Sequence, residues 1–191
     1  GGGIYISNSS ADFENVIIEE NYSDSRGGGI WVGGQTNLSM YKTIIARNES
    51  VGFGGGIFVS VSNLDILNSS IIENIIDSNA TGTGIYMDGG NASINNTIIY
   101  YNYHEDNTNP EYNIDGYTSD AFFEYDIKYS NIEGLNDLEI HGFGTISDNP
   151  LFIDLDFNDY HLMENSPCID SGDPNIIDED MTISDMGAYY Y

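Results

Sequence analysis

Gly27-Gly28-Gly29-Ile30-Trp31-Val32 is one of four versions of a single phrase. The others are Gly1-Gly2-Gly3-Ile4-Tyr5-Ile6, Gly54-Gly55-Gly56-Ile57-Phe58-Val59 and Gly82-Thr83-Gly84-Ile85-Tyr86-Met87. Their first glycines are 26, 27 and 28 residues apart, a period that belongs to stacked repeat architectures. Each copy joins a flexible corner to a strand of alternating large apolar residues. A second apolar pair follows each Ile by 13 or 14 residues: Ile17-Ile18, Ile44-Ile45, Ile71-Ile72 and Ile98-Ile99. Between them lie Leu38-Ser39-Met40, Leu64-Asp65-Ile66 and the shorter Ser93-Ile94. The spacing predicts three short strands and three corners per coil.

One such coil cannot bury its apolar face alone. Stacking coils about 4.8 Å apart turns the recurring Ile positions into an internal ladder. The predicted fold is therefore all-β, a parallel β-helix with coils of 26–28 residues. Leucine-rich repeats are excluded by the lack of a Leu consensus and of any helical period. Helical solenoids are excluded by the abundance of Gly, Asn, Ser and β-branched residues.

Asn21, Asn48 and Asn102 each stand three residues after the second Ile of their pair, whereas Asn74 stands two after Ile72. Stacked amides can hydrogen-bond along a column, which predicts an asparagine ladder with the third coil slipped by one residue. Turn asparagines in left-handed backbone are the alternative.

The chain has 191 residues, 31 Asp plus Glu, four Lys plus Arg and a net charge of −27. Ten of the acids precede residue 104 and 21 follow it. Nucleic acid and anionic membrane are poor partners for so negative a surface, and no nucleic-acid partner is expected. No run of 18 apolar residues is available to span a membrane. The lone Cys168 cannot form an internal disulfide and reads as a buried small hydrophobe. Because the sequence opens inside a repeat, further coils are expected upstream, or a neighbouring subunit stacked on the bare coil end.

The phrase stops after Asn102. The polar segment 103–120 reads as a loop, and alternation resumes over 122–132 as a last, broken coil. Three regions follow: regular coils over 1–103, loop and degenerate coil over 104–134, and an acidic cap over 135–191 packed on the helix end. That last region carries Asp148-Asn149-Pro150-Leu151-Phe152, Asp159-Tyr160-His161-Leu162, Ser166-Pro167-Cys168-Ile169-Asp170-Ser171-Gly172-Asp173 and Asp185-Met186-Gly187-Ala188-Tyr189. The set resembles the C-terminal region of bacterial secreted right-handed parallel β-helix repeat proteins of the pectin-lyase-like superfamily. The Gly-Gly-Gly-Ile coils are similar to repeats of chlamydial polymorphic outer-membrane proteins. The resemblance implies a right-handed helix in an exported, cell-surface or extracellular protein, and shared architecture does not carry an activity with it.

A polyuronate lyase needs cations and a base, for which Arg26, Lys42, Arg47 and Lys128 are the candidates, read here as isolated surface charges. Paired carboxylates for hydrolysis are too abundant for spacing to single out Asp65, Asp77 or Asp88. For Ca2+ the better candidate set is Asp170, Asp173, Asp178, Glu179 and Asp180. Asp154-Leu155-Asp156-Phe157-Asn158-Asp159 only begins like a calcium loop, lacking its Gly and final Glu. His104, His141 and His161 are too dispersed for zinc. If the flanking isoleucines point inward, Tyr5, Trp31, Phe58 and Tyr86 form an outward aromatic column that can stack on sugar rings or cover another chain. The opposite register, or a covering loop, would bury it. Sequons begin at Asn8, Asn37, Asn68, Asn79, Asn91 and Asn95, and at the ladder residues Asn21 and Asn48, which a glycan cannot occupy. The expected function is a non-catalytic structural or adhesive module outside the cell, self-associating or bound to an extracellular polymer or carbohydrate. The alternative is a carbohydrate-active enzyme or glycan-binding module with its site mostly upstream.

Overall fold

The computed structural model describes residues 1–77, 79–106, 113–116, 123–134 and 142–191. It is a parallel β-solenoid of about four turns. The first coil supplies β1 (Ile4–Ser7), β2 (Ser10–Glu14), β3 (Ile17–Glu19) and β4 (Tyr22–Ser23). The second repeats these as β5 (Ile30–Gly33), β6 (Asn37–Tyr41), β7 (Ile44–Ala46) and β8 (Glu49–Ser50). In the third and fourth coils the first two strands fuse into β9 (Ile57–Leu67) and β12 (Ile85–Asn95). These are followed by β10 (Ser70–Ile72) and β11 (Ile75–Ile76), then by β13 (Ile98–Tyr100) and β14 (Tyr103–His104). A partial fifth coil adds β15 (Ile114–Gly116), β16 (Phe123–Lys128) and β17 (Asn131–Ile132). Phe122 and most of the expected 103–120 loop lie outside the described residues.

The first two coils therefore have four strands each, and the third and fourth have the expected three, the first of them long. The last strand of each of these coils is only two residues long and carries no apolar alternation, so hydrophobic periodicity does not report it. Bends between strands are made by single left-handed residues in columns, such as Glu20, Arg47, Glu73 and Tyr101.

The isoleucine ladder forms the core. Ile4, Ile30, Ile57, Ile85 and Ile114 are in register, as are Ile18, Ile45, Ile71, Ile99 and Ile132. Ile30, Ile57, Ile85, Ile45, Ile71 and Ile99 are sealed from solvent, each burial contributing roughly 1.5–3 kcal/mol.

The amide ladder runs without a break. Asn21 Nδ2 donates to Asn48 Oδ1 at 2.9 Å, Asn48 to Asn74 at 3.0 Å, and Asn74 to Asn102 at 2.8 Å. Asn113 extends it, accepting from Asn102 at 2.8 Å. The expected slip lies in the apolar pair instead: Ser70-Ile71 stands against Ile44-Ile45, and Ile72 takes the place of Ala46. The third glycine of each phrase leaves room for these amides. A Cβ at Gly29, Gly56 or Gly84 would sit 3.0–3.2 Å from the Nδ2 of Asn48, Asn74 or Asn102.

The tail departs from the expected end cap. It starts at the stack end, where Ile146 bridges Asn131, and then lies along the outer flank of β7, β10 and β13. Phe152, Tyr160, Leu162, Cys168, Met186 and Ala188 pack on Ile44, Ala46, Ile72, Ile98 and Tyr100. Those five outward residues form an apolar strip that an end cap would leave wet. Gly187 N–H donates to the Asn96 carbonyl and Ala188 N–H to Ser70 Oγ, fixing the tail in register. Among the described residues, no helix is long and apolar enough to cross a membrane.

Candidate functional site

With one flank covered, the outward positions of β2, β6, β9, β12 and β16 form a continuous uncovered polar surface. Pairing places Ser10, Asn37, Asn63, Asn91 and Glu124 in one column. A second, parallel column runs Asp12, Ser39, Asp65, Ser93, Asp126. The inward partners Leu38, Leu64, Ala92 and Met40, Ile66, Ile94 are buried, so strict alternation aims both polar columns at solvent. Asn63 Nδ2 donates to Asn37 Oδ1 at 2.8 Å, and Asn91 Nδ2 to Asn63 Oδ1 at 3.2 Å. This exposed amide ladder holds its side chains in fixed orientations along an open groove of about 540 Å³. From sequence, Asn37 and Asn91 are sequons, Asp65 is one acid among many, and the face they share is not read. The recurring Asn-x-Ser/Asp triplets 37–39, 63–65 and 91–93 are the signal that could have found the face.

The aromatic column also points away from the core, stacked at centroid separations of 4.4, 6.3 and 5.6 Å along Tyr5, Trp31, Phe58 and Tyr86. Exposure falls steeply along it, from 65% at Tyr5 through half-buried Trp31 to 1% at Phe58 and 9% at Tyr86. Arg26 covers Phe58, its guanidinium 5.0 Å from the ring, while Phe53 packs at a tilt 4.5 Å from Tyr86. Phe58 and Tyr86 are thus covered and offer no sugar-stacking platform.

The four cations are all engaged. Besides Arg26, Lys42 Nζ lies 3.8 Å from Glu179 and over the Tyr41 and Tyr190 rings. Arg47 pairs with Glu19 at 2.8 Å and Glu20 at 3.3 Å, and donates to the Tyr160 hydroxyl. Lys128 pairs with Asp126 at 2.7 Å. Lys42 and Arg47 serve different partners and form no common site.

A cleft of about 240 Å³ between Glu73, Glu133, Tyr101 and Tyr103 was not anticipated. Burial raises both carboxyls above the ordinary range. Glu133 accepts the Tyr101 N–H at 2.8 Å, whereas Glu73 Oε2 lies 3.8 Å from Arg47 and is buried without a hydrogen bond.

The five tail acids do not converge, and among the described residues no group of three His, Cys, Asp or Glu is placed to hold a metal. Asp173 accepts from Asn175, and Asp180 from Thr182, which lowers both carboxyls. Glu179 accepts the Tyr190 hydroxyl. Asp178, raised by burial, accepts the Asp185 N–H, and Asp170 is a left-handed bend whose N–H donates to Asp185. Residues 154–159 form the turn of a hairpin between β18 (Phe152–Asp154) and β19 (Asp159–Leu162), with Asn158 left-handed.

His161 stacks on Tyr189 and pairs with Asp159, whereas His104 is buried and His141 lies outside the described residues. Burial pushes the Cys168 thiol up to about 11, which suits packing rather than reactivity. Of the sequons, Asn68 is buried under the tail, donating to Ser184 Oγ and the Asp185 carbonyl, and cannot carry a glycan. Asn37 and Asn91 belong to the exposed ladder, Asn95 is half-buried, and Asn8 and Asn79 are exposed. Comparison with protein-family models, with curated proteins and with solved structures gives no match, so the β-solenoid itself is what the sequence and structure establish.

Proposed function

We propose that the chain is a non-catalytic structural or adhesive β-helix module at a cell surface or in an extracellular assembly, with the Asn/Ser/Asp face as its contact surface. The observation that carries this reading is the run of outward polar columns over five coils, braced by its own amide ladder while the flank formed by β7, β10 and β13 is sealed by the tail. The resemblance to secreted pectin-lyase-like β-helices supports the extracellular setting. Surfaces of rigid, repeating hydrogen-bonding groups suit extended polymers, because ordered side chains lose little entropy on binding. Against hydrolysis, Glu133 in the Glu73–Glu133 cleft already accepts the Tyr101 N–H, and Glu73 faces Arg47.

Affinity electrophoresis through gels containing neutral, acidic or amino polysaccharides tests the proposal. Retardation is expected on at least one gel, with no new reducing ends or unsaturated products, and Ser39→Arg/Ser93→Arg should abolish it. Turnover of any polymer, or retardation that survives this blockade, would sink the reading.

A further inference from the structure

We infer that the ligand of this face is a cationic, extended polysaccharide: a β-1,4-linked chain of amino sugars lying along the solenoid axis. The inference rests on the contact-face reading above and names its substrate class.

Charge supplies the first argument. The face carries Asp12, Asp65, Asp126, Glu14 and Glu124, and Lys128 is its one cation. Since Lys128 neutralises Asp126 at 2.7 Å, Asp12 and Asp65 remain without an ion-pair partner among the described residues. Within a molecule of net charge −27, such a groove repels polyuronates and attracts polycations.

Period supplies the second argument. The column alternates Asp12, Ser39, Asp65, Ser93, Asp126, so carboxylates recur every second coil, about 9.6 Å apart at the usual strand spacing. An extended β-1,4-linked chain turns each sugar over relative to the last. A given substituent therefore returns to the same side every second sugar, and one sugar spans roughly one coil. Amines on the protein side of such a chain meet Asp12 and Asp65, while the intervening sugar meets the hydroxyl of Ser39. The neighbouring Asn37–Asn63–Asn91 column offers amide groups to ring hydroxyls along the same line. A flexible basic peptide shares the charge but lacks this fixed two-step repeat.

The test compares the intact chain with two equal-charge variants: Asp12→Asn/Asp65→Asn on the face, and Asp24→Asn/Glu49→Gln away from it. Binding to a partly de-N-acetylated β-1,4-glucosamine polymer is measured at mildly acidic pH and low salt, where its amines are protonated. The face variant should lose about fivefold to tenfold in affinity, the worth of two exposed ion pairs, and the control variant less than about twofold. Equal losses in both variants would show attraction to the overall field only and overturn the inference. A basic peptide of matched charge that binds as well, with the same dependence on Asp12 and Asp65, would overturn it also. Equal binding of the fully acetylated, neutral polymer would refute the amino-sugar assignment. If Ser39→Arg/Ser93→Arg still abolished that neutral binding, the contact-face reading would stand alone.

Discussion

Replacing Asn74 by Ala should lower stability by about 3–5 kcal/mol, among the largest effects available to a single polar residue. Asn74 Oδ1 accepts both the backbone N–H and the side-chain amide of Asn48, each at 3.0 Å. Its Nδ2 donates to the Ile45 carbonyl at 2.9 Å and to Asn102 Oδ1 at 2.8 Å. The residue is sealed from water, so truncation strands the Asn48 N–H and removes one bond each from Asn48 Nδ2, Asn102 Oδ1 and the Ile45 carbonyl, where no solvent can replace the partner. Each stranded group costs about 1–3 kcal/mol before relaxation, and local rearrangement recovers part of it. Asn63 provides the control, because its ladder bonds are exposed and water can take over. Asn63→Ala should stay within about 0.5 kcal/mol of the parent. Urea midpoints at constant m-value read both changes, and equal midpoints for the two variants would refute the structural weight given to the buried ladder.

Met186→Asp should destabilise by a similar amount, about 4 kcal/mol, by placing a carboxylate in the dry seam between tail and solenoid. Met186 is fully buried in a cluster with Ile44, Ile72, Ile98 and Cys168. None of these can offer the charge a hydrogen bond of useful strength, since the isoleucines have no side-chain donor and the Cys168 S–H is a weak one. The tail should then leave the flank, exposing the apolar strip and admitting proteases between residues 142 and 191. Met181→Asp, at a site 86% exposed, should change neither stability nor cleavage. Identical proteolysis of the two variants would show that the flank does not need its cover.

The coil period, the inward isoleucines and the asparagine column could all be read from the sequence because they rest on local repetition. Gly29, Gly56 and Gly84 are the plainest case, since their missing side chains make room for Asn48, Asn74 and Asn102. The third-coil register was less legible. Ile71-Ile72 looks like Ile44-Ile45 in composition, and only the ladder hydrogen bonds decide that Ser70 stands against Ile44. The site was harder still. Whether Phe58 is covered depends on Arg26 and Phe53, which reach it from a corner whose geometry leaves no periodic trace. The tail's place depends on contacts such as Ala188 to Ser70, 118 residues away, to which no local pattern points. The acids at 170, 173, 178, 179 and 180 look like a cation site in one dimension. In three dimensions, those at 173, 178, 179 and 180 are spent on turn N–H groups and on the Asn175, Thr182, Tyr190 and Lys42 side chains, and Asp170 is a left-handed bend.

The contact face is tested most directly by a two-dimensional NMR titration of the chain with the polysaccharide that retards it, following the side-chain amides of asparagine. The account predicts that Asn37, Asn63 and Asn91 shift together with increasing ligand while the buried Asn48, Asn74 and Asn102 stay fixed. Shifts confined to the surroundings of Tyr5 and Trp31, or to the tail, would contradict it.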